Sequence, residues 1–182
     1  MLYDFKQPED YDKFISQYIT GDFSTFDMEF FIPEVKKLKA GEIYLEIGVK
    51  YGKSFTVACF AAAEGVNLVG IDIEDFEERR NYFKTLGLTN YITFIHGEST
   101  RVAKIWSSPI KLLFIDGNHT YESVSADIGA WAKFVPLGGV ILFHDCDETS
   151  LGVVQAVNEH FAGKITLFKT PEKRTSLAKV VI

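Results

Sequence analysis

Cysteine is scarce in this sequence: Cys59 and Cys146 are the two among 182 residues. Two cysteines cannot build the disulfide framework of a small secreted domain, so we expect free thiols in a reducing compartment. No apolar run approaches the roughly 20 residues that cross a bilayer, and the first ten residues lack the basic and apolar regions of a signal peptide. These absences predict a cytoplasmic protein with no membrane partner.

Positive charge is also in short supply, with 19 Lys and Arg against 25 Asp and Glu and a formal net charge of −6. Such a chain offers no basic surface for a phosphate backbone, so a nucleic-acid partner is not expected. Linker-like stretches of Pro, Gly or Ser and internal repeats are missing too. Together with 47% hydrophobic residues, this predicts one domain over residues 1–182.

From residue 41 onward, the sequence alternates short apolar runs with longer stretches of helical period. This alternation is typical of parallel strands joined by crossover helices and predicts a doubly wound, Rossmann-like α/β core over residues 41–182. The predicted strands are 43–47, 67–71, 91–95, 111–115 and 140–144, and the predicted helices are 54–64, 75–86, 99–106, 121–135 and 151–161. Residues 164–169 and 176–182 are predicted to form an antiparallel C-terminal hairpin across residues 170–175, and residues 1–40 a helical cap.

The first predicted strand runs through a glycine-containing turn, Glu46-Ile47-Gly48-Val49-Lys50-Tyr51-Gly52-Lys53-Ser54, into a helix. Such a turn places free backbone N–H groups at the mouth of the sheet, where a ligand can bind. A triphosphate loop needs four residues between its glycines, whereas this turn has three, and the Gly-x-Gly-x-x-Gly spacing of dinucleotide folds is absent. A carboxylate at Glu46 would repel a pyrophosphate and attract an ammonium group. The turn therefore favours a cationic ligand.

Ionisable residues lie at the end of each of the five predicted strands. Asp72 follows the second strand, where a carboxylate can accept both hydroxyls of a ribose, and Asp75 is the better placed to cap the next helix. Because the carboxyl ends of parallel strands share one edge of a sheet, these side chains are expected to converge on one cleft. The residues expected to converge are Glu46, Asp72, Glu98, Asp116, His119, His144 and Asp145.

Three segments, YLEIGVKYGKS, IDGNHTYESVSADIGAW and GGVILFHD, together resemble a group of small class I S-adenosylmethionine-dependent methyltransferases related to enzymes that act on antibiotic and sugar hydroxyls. The resemblance covers residues 40–160 and implies a mostly parallel seven-stranded sheet with the last strand antiparallel. In relatives of this fold, a glycine and a small polar or acidic residue after the third strand lie beside the adenine. The residues implied to bind the cofactor are Glu46, Gly48, Gly52, Ser54, Asp72, Glu98, Ser99 and Asp116.

Some members of that group bind a divalent metal through an acid after the fourth strand and two acids after the fifth, with a histidine three residues past the first acid as base. Asp116, Asp145 and His119 match those positions, whereas His144 puts an imidazole where the relatives carry a carboxylate. A metal set of Asp116, His144 and Asp145 would suit manganese, iron or zinc as well as magnesium. Alternatively, the two aspartates position substrate or cap the turns that follow.

Two classes of function fit these observations. The first is an enzyme that transfers a methyl group from S-adenosylmethionine to a hydroxyl of a small molecule or sugar, with His119 and Asp116 as its catalytic residues. The second is a module that binds the cofactor without chemistry, and a nicotinamide-dependent oxidoreductase is a further alternative. Because few residues outside the sheet can enclose an acceptor, the site is expected to be open or completed by a second copy in a homo-oligomer.

Overall fold

The computed structural model describes residues 5–169 and 175–182. Within these residues, seven strands form one sheet in the order β3-β2-β1-β4-β5-β7-β6. The strands are β1 Ile43–Ile47, β2 Asn67–Asp72, β3 Ile92–His96, β4 Leu112–Ile115, β5 Val140–Phe143, β6 Ile165–Lys169 and β7 Thr175–Val181. The helices are α1 Pro8–Ile15, α2 Thr25–Val35, α3 Lys53–Ala61, α4 Glu77–Thr85, α5 Ser99–Val102, α6 Tyr121–Trp131 and α7 Leu151–Phe161, with a 3₁₀ turn at Ala132–Phe134.

The predicted fold class is confirmed. Strands β1 to β5 are parallel to one another, and β7 runs antiparallel to both β5 and β6. The C-terminal hairpin is therefore present, although residues 170–174 of its predicted loop lie outside the described residues. The core strands are short and apolar because helices cover both faces of the sheet.

Four predicted helices are shorter than expected, and those predicted over 54–64 and 121–135 end at Ala61 and Trp131. The helix predicted over residues 99–106 is the single turn α5, since Trp106 leaves the helix, packs against Trp131 and donates its indole N–H to Ser108 O at 2.6 Å. The helix predicted from residue 75 begins at Glu77 with Phe76 at the N-cap. The prediction that Asp75 caps this helix is wrong, because the Asp75 carboxylate pairs with the Arg80 side chain.

A hydrophobic cluster covers each face of the sheet. One cluster joins α1, α2 and α3 to the strands through residues such as Ile15, Phe31 and Phe55. The other joins α6 and α7 to the opposite face and contains the fully buried Trp131. Burying a side chain of this size contributes about 1.5–3 kcal/mol. No helix among the described residues is both long and apolar enough to cross a membrane.

The N-terminal helices are tied to the sheet at more than one point. Lys179 Nζ on β7 lies 2.8 Å from Glu34 Oε1 on α2, and the rings of Phe30 and Phe168 stack with centroids 4.3 Å apart. The first turn of α2 is closed by a capping box between Ser24 and Asp27. These contacts fix α2 against the sheet.

The topological switch point lies between β1 and β4. The helix after β1 covers one face of the sheet and the helix after β4 covers the other, so the two loops diverge and leave a crevice. Gly48, which follows β1, has φ +88°, and a Cβ there would lie 2.7 Å from Gly117 Cα and closer still to Asp116 O. Only glycine permits this conformation and this approach.

Gly48→Ala is therefore expected to destabilise the protein more than Gly41→Ala does. Gly41 has a similar φ of +85°, but nothing lies within 4 Å of the position that a Cβ would take there, so its alanine variant isolates the backbone strain of about 1–3 kcal/mol. The alanine at position 48 adds a clash with the backbone after β4. Chemical denaturation of both variants measures the difference, and equal losses of unfolding free energy would contradict the close approach.

Candidate functional site

Two cavities open at the carboxyl ends of the parallel strands, with volumes of about 540 Å³ and 320 Å³. Gly48, Lys50, Asp116 and Gly117 line both of them. The cavities are therefore neighbouring compartments of one cleft at the switch point, which is where ligands bind in doubly wound sheets. The seven residues expected to converge do so with one exception, since Glu46 is not among the residues that line either compartment.

The larger cavity is lined by Asp72 after β2 and by Glu98 and Ser99 after β3. It is also lined by Asp127 of α6, which sequence reasoning missed. Asp127 is 6% exposed, burial raises the pKa of its carboxyl, and it accepts a hydrogen bond from Ser99 Oγ. A carboxylate beside Ile128 on an otherwise apolar helix face was the signal that could have revealed it.

Asp72 is already engaged with the backbone around it. Its Oδ2 accepts from Lys50 N at 2.5 Å, and its Oδ1 accepts from Glu74 N at 2.8 Å. An ionised carboxylate has about four acceptor positions, so each oxygen can still accept another hydrogen bond. Asp72 is thereby fixed at the wall of the larger cavity, 8% exposed, with acceptor capacity left for a ligand.

Arg79 of α4 holds this wall together and was not predicted from the sequence. Its guanidinium is 1% exposed, donates to Lys50 O and to Glu74 O, and lies over the Phe94 ring at 3.9 Å. Arg79 Nη1 also lies 3.7 Å from Asp72 Oδ2. Arg79 therefore ties the glycine turn to the loop after β2. Because Arg79 stands in the charged sequence Glu77-Glu78-Arg79-Arg80, the pattern predicts an exposed side chain there.

Glu46 lies behind the glycine turn rather than in the cleft. It is fully buried, and its carboxylate accepts hydrogen bonds from Tyr44 Oη and, at 2.6 Å, from Ser54 Oγ. Burial raises the pKa of Glu46 to about 8, although both hydroxyl donors act in the opposite direction. We expected the Glu46 carboxylate to attract a cationic ligand, but this geometry makes Glu46 a support for the start of α3.

The smaller cavity is lined by the second half of the glycine turn. Gly52, with φ +93°, caps the start of α3, and Ser54 lines the cavity although its hydroxyl is used by Glu46. Residues 20–23, before α2, form part of the wall. The N-terminal segment predicted as a helical cap thus encloses this compartment. Lys53 also lines the cavity and pairs with Asp12, with 2.9 Å between Nζ and Oδ1.

A cluster of two histidines and two aspartates lies on the opposite wall of the smaller cavity. His119 Nε2 is 3.3 Å from Asp145 Oδ2 and 3.9 Å from Asp116 Oδ1. The nearby carboxylate of Asp116, together with that of Asp145, raises the pKa of His119, against the effect of partial burial. The ring is therefore a stronger base than an isolated imidazole, and with 43% of its side chain exposed it can be reached by a ligand.

His144 is the buried member of this cluster, 5% exposed. Its Nδ1 lies 3.2 Å from Asp116 Oδ1 and 3.1 Å from Asp145 Oδ2. On the other side of the ring, Nε2 lies 3.5 Å from Oδ2 of Asp27 in α2. Burial acts against protonation, but the three carboxylates outweigh it and raise the pKa of His144 well above its ordinary value. Sequence reasoning placed His144 and both strand-end aspartates here but missed Asp27.

The fold and the cleft define a class: Rossmann-like α/β proteins that bind a nucleoside-type ligand at the carboxyl edge, here with a histidine–aspartate cluster beside it. Within that class, the sequence matches the methyltransferase domain over residues 45–146, more than half of the chain. The chain belongs to this family. The predicted resemblance to class I methyltransferases is thereby confirmed.

The chain is also similar to individual proteins. An uncharacterized protein of Acanthamoeba polyphaga mimivirus is 31% identical over 146 residues, which are 69% of this chain and 64% of the viral protein, less than two thirds of that relative's length. The O-methyltransferase from Bacillus cereus in complex with S-adenosylhomocysteine has a similar structure, with a TM-score of 0.70 at 16% identity, covering 100% of this chain and 93% of that chain.

A further similar structure is the O-methyltransferase TomG from Streptomyces achromogenes, involved in tomaymycin synthesis, in complex with S-adenosylmethionine. Its TM-score is 0.66 at 17% identity, and the match covers 93% of this chain and 94% of that chain. At these identities, the likeness to both solved structures establishes the shared fold.

The buried Glu46 is expected to make stability depend on pH. Its pKa is about 8 in the folded protein against an ordinary 4.5, so the folded state holds a proton that the unfolded state releases between these values. The unfolding free energy then contains a component that falls as pH rises from about 5 to 8, by up to about 1.4 kcal/mol per pH unit. Glu46→Gln removes this component.

Denaturant titrations at several pH values measure the effect, with the exposed Glu64→Gln as the matched control. We expect the Glu64 variant to keep the wild-type slope of unfolding free energy against pH. A Glu46→Gln variant whose slope equals that of the wild type would show that Glu46 is ionised throughout.

Proposed function

We propose that this protein is an S-adenosylmethionine-dependent methyltransferase that transfers the methyl group to a hydroxyl of a small molecule. The observation that carries the proposal is the division of one cleft into two compartments that meet at Gly48, Asp116 and Gly117. One compartment has the groups that a nucleoside needs, and the other has a base beside carboxylates. A methyl donor and a methyl acceptor require this adjacency.

The larger compartment suits the adenosine part of the cofactor. Asp72 can accept hydrogen bonds from the ribose hydroxyls, and Glu98 and Ser99 would lie beside the adenine. The glycines of the turn allow the methionine end to approach the backbone, with Gly52 and Ser54 at the start of α3. The sulfonium would then lie where the compartments meet, near the Asp116 carboxylate, whose negative charge favours a cation.

The smaller compartment suits the acceptor. Its volume of about 320 Å³ is at the small end of ligand pockets, so it fits a single sugar ring or a compound of similar size. The net charge of −6 gives no support to a nucleic-acid acceptor. The wall formed by residues 20–23 encloses the compartment within one chain, which argues against a need for a second copy.

In the proposed reaction, the acceptor oxygen forms a bond to the methyl carbon while the carbon–sulfur bond breaks. His119 takes the hydroxyl proton, and the imidazolium that results is stabilised by Asp145, which lies 3.3 Å from Nε2. Asp116 adds a second carboxylate at 3.9 Å from the same nitrogen. The protein otherwise contributes orientation, because an in-line displacement needs the sulfonium and the nucleophile held in one geometry.

We further propose that Asp116, His144 and Asp145 hold a divalent cation. Their donor atoms all lie within 4.8 Å of one another, and the separations of 3.1 and 3.2 Å from His144 Nδ1 are close to those of neighbouring ligands on one ion. When bound, the cation would lower the pKa of the acceptor hydroxyl as a Lewis acid. The imidazole donor favours manganese or another transition metal over magnesium.

The cysteines support the proposed cytoplasmic location. Cys59 and Cys146 are buried and unpaired, as is usual in a reducing compartment.

His119→Gln tests the catalytic role directly. We expect kcat for methyl transfer to sugar and phenol hydroxyls to fall by about 10²–10⁴-fold, the usual contribution of a general base, while the Kd for S-adenosylhomocysteine changes little. His160→Gln, which alters an exposed histidine of α7, is the matched control and should retain wild-type turnover. Formation of S-adenosylhomocysteine in a single-turnover assay measures the step.

Unchanged turnover in His119→Gln would remove this residue from the mechanism. A wild-type protein that binds S-adenosylhomocysteine but methylates no acceptor, with or without Mn²⁺, would instead support the cofactor-binding module.

A further inference from the structure

His144 has carboxylates on two opposite sides of its ring. Nδ1 faces the cleft, 3.2 Å from Asp116 Oδ1 and 3.1 Å from Asp145 Oδ2. Nε2 faces away from the cleft, 3.5 Å from Asp27 Oδ2. The side chain is 5% exposed, so these carboxylates dominate the surroundings of the ring. The two ring nitrogens therefore have different partners. Nδ1 faces two aspartates of the cleft, and Nε2 faces Asp27 of α2.

Both members of the Asp27–His144 pair are held in place. Asp27 is the third residue of α2 and 2% exposed, and Oδ2 accepts from Ser24 N at 2.8 Å and from Ser24 Oγ at 2.6 Å. This is the capping box of α2, which fixes the carboxylate as it closes the helix. The imidazole packs against the rings of Phe23 and Phe114, at centroid separations of 5.6 and 6.1 Å.

We propose that Asp27 is a positioning residue that keeps a hydrogen on His144 Nε2, so that the Nδ1 lone pair is directed to a divalent cation shared with Asp116 and Asp145. This inference rests on the metal site proposed above. When a cation takes the Nδ1 lone pair, the one ring hydrogen of a neutral imidazole is on Nε2, where the Asp27 carboxylate at 3.5 Å stabilises it. Histidines that bind metals usually donate their other N–H to such a partner. The start of α2 is then part of the metal centre.

Asp27→Asn tests the proposal because the side-chain amide can present an N–H to Nε2 and favour the opposite tautomer. The full-length protein, saturated with S-adenosylhomocysteine, is titrated with Mn²⁺ while the electron paramagnetic resonance signal of the free ion is followed. We expect Mn²⁺ affinity to fall by about 10–100-fold, as is usual when such a partner is lost, with S-adenosylhomocysteine affinity within about twofold of wild type.

Ser24→Ala is the matched control, because it removes the hydroxyl of the same capping box and keeps the Asp27 carboxylate. We expect Ser24→Ala to lower the melting temperature and to retain Mn²⁺ affinity close to that of the wild type. Equal losses of Mn²⁺ affinity in Ser24→Ala and Asp27→Asn would show that Asp27 acts through helix stability alone, and unchanged affinity in Asp27→Asn would equally overturn the proposal.

The tautomer of His144 can also be measured in the wild type, so this test does not depend on the folding of a variant. Two-bond proton–nitrogen correlations of His144 in the Zn²⁺-loaded protein report which ring nitrogen carries the hydrogen. Hydrogen on Nε2 is expected, and hydrogen on Nδ1 would refute the proposal. A wild type that binds S-adenosylhomocysteine but neither Mn²⁺ nor Zn²⁺ refutes the metal site and this inference together. A wild type that binds none of the three refutes the proposed function itself.

Discussion

The close approach of the turn after β1 to the backbone after β4 is the contact on which the rest of the cleft depends. Gly48 lies so near Asp116 and Gly117 that a side chain at this position has no room. This approach brings Asp116 to the boundary of both compartments, where one carboxylate can face a cofactor and an acceptor at once. Arg79 fixes the same turn from the other side through Lys50 O. A buried cation and a glycine thus set the geometry of the cofactor wall.

Charge is unevenly distributed across the cleft, and this asymmetry organises the smaller compartment, which we propose receives the acceptor. Asp27, Asp116 and Asp145 surround His144, with His119 at the open end of the group. Carboxylates this close together repel one another unless a proton or a cation lies between them. The arrangement therefore favours positively charged species, whether an imidazolium, a sulfonium or a metal ion. It also explains why the start of α2 is fixed against the sheet, since Asp27 is one of the three carboxylates.

The strands and the convergence of strand-end residues could be predicted because both follow from periodicity and from the shared edge of parallel strands. Arg79 could not, since it sits on a helix whose local pattern gives no reason to bury a charge, whereas Asp127 could have been found from its place on the apolar face of α6. Asp27 escaped for a different reason: its capping signal is local, whereas its contact with His144 joins residues far apart in the chain. The place of Glu46 behind the turn could not be predicted either, because a strand end predicts the edge but not which face the side chain takes.

Calorimetric titration with S-adenosylhomocysteine tests cofactor binding at this cleft most directly, using the wild type, Asp72→Asn and the control Asp75→Asn. Binding in the micromolar range is expected for the wild type and for Asp75→Asn, whose carboxylate pairs with Arg80 outside the cavity lining. Asp72→Asn is expected to bind about 10–100-fold more weakly, because charge-assisted hydrogen bonds to the ribose contribute about 1.5–3 kcal/mol. Wild-type protein that binds neither S-adenosylmethionine nor S-adenosylhomocysteine, or Asp72→Asn that binds as tightly as the wild type, would contradict the assignment.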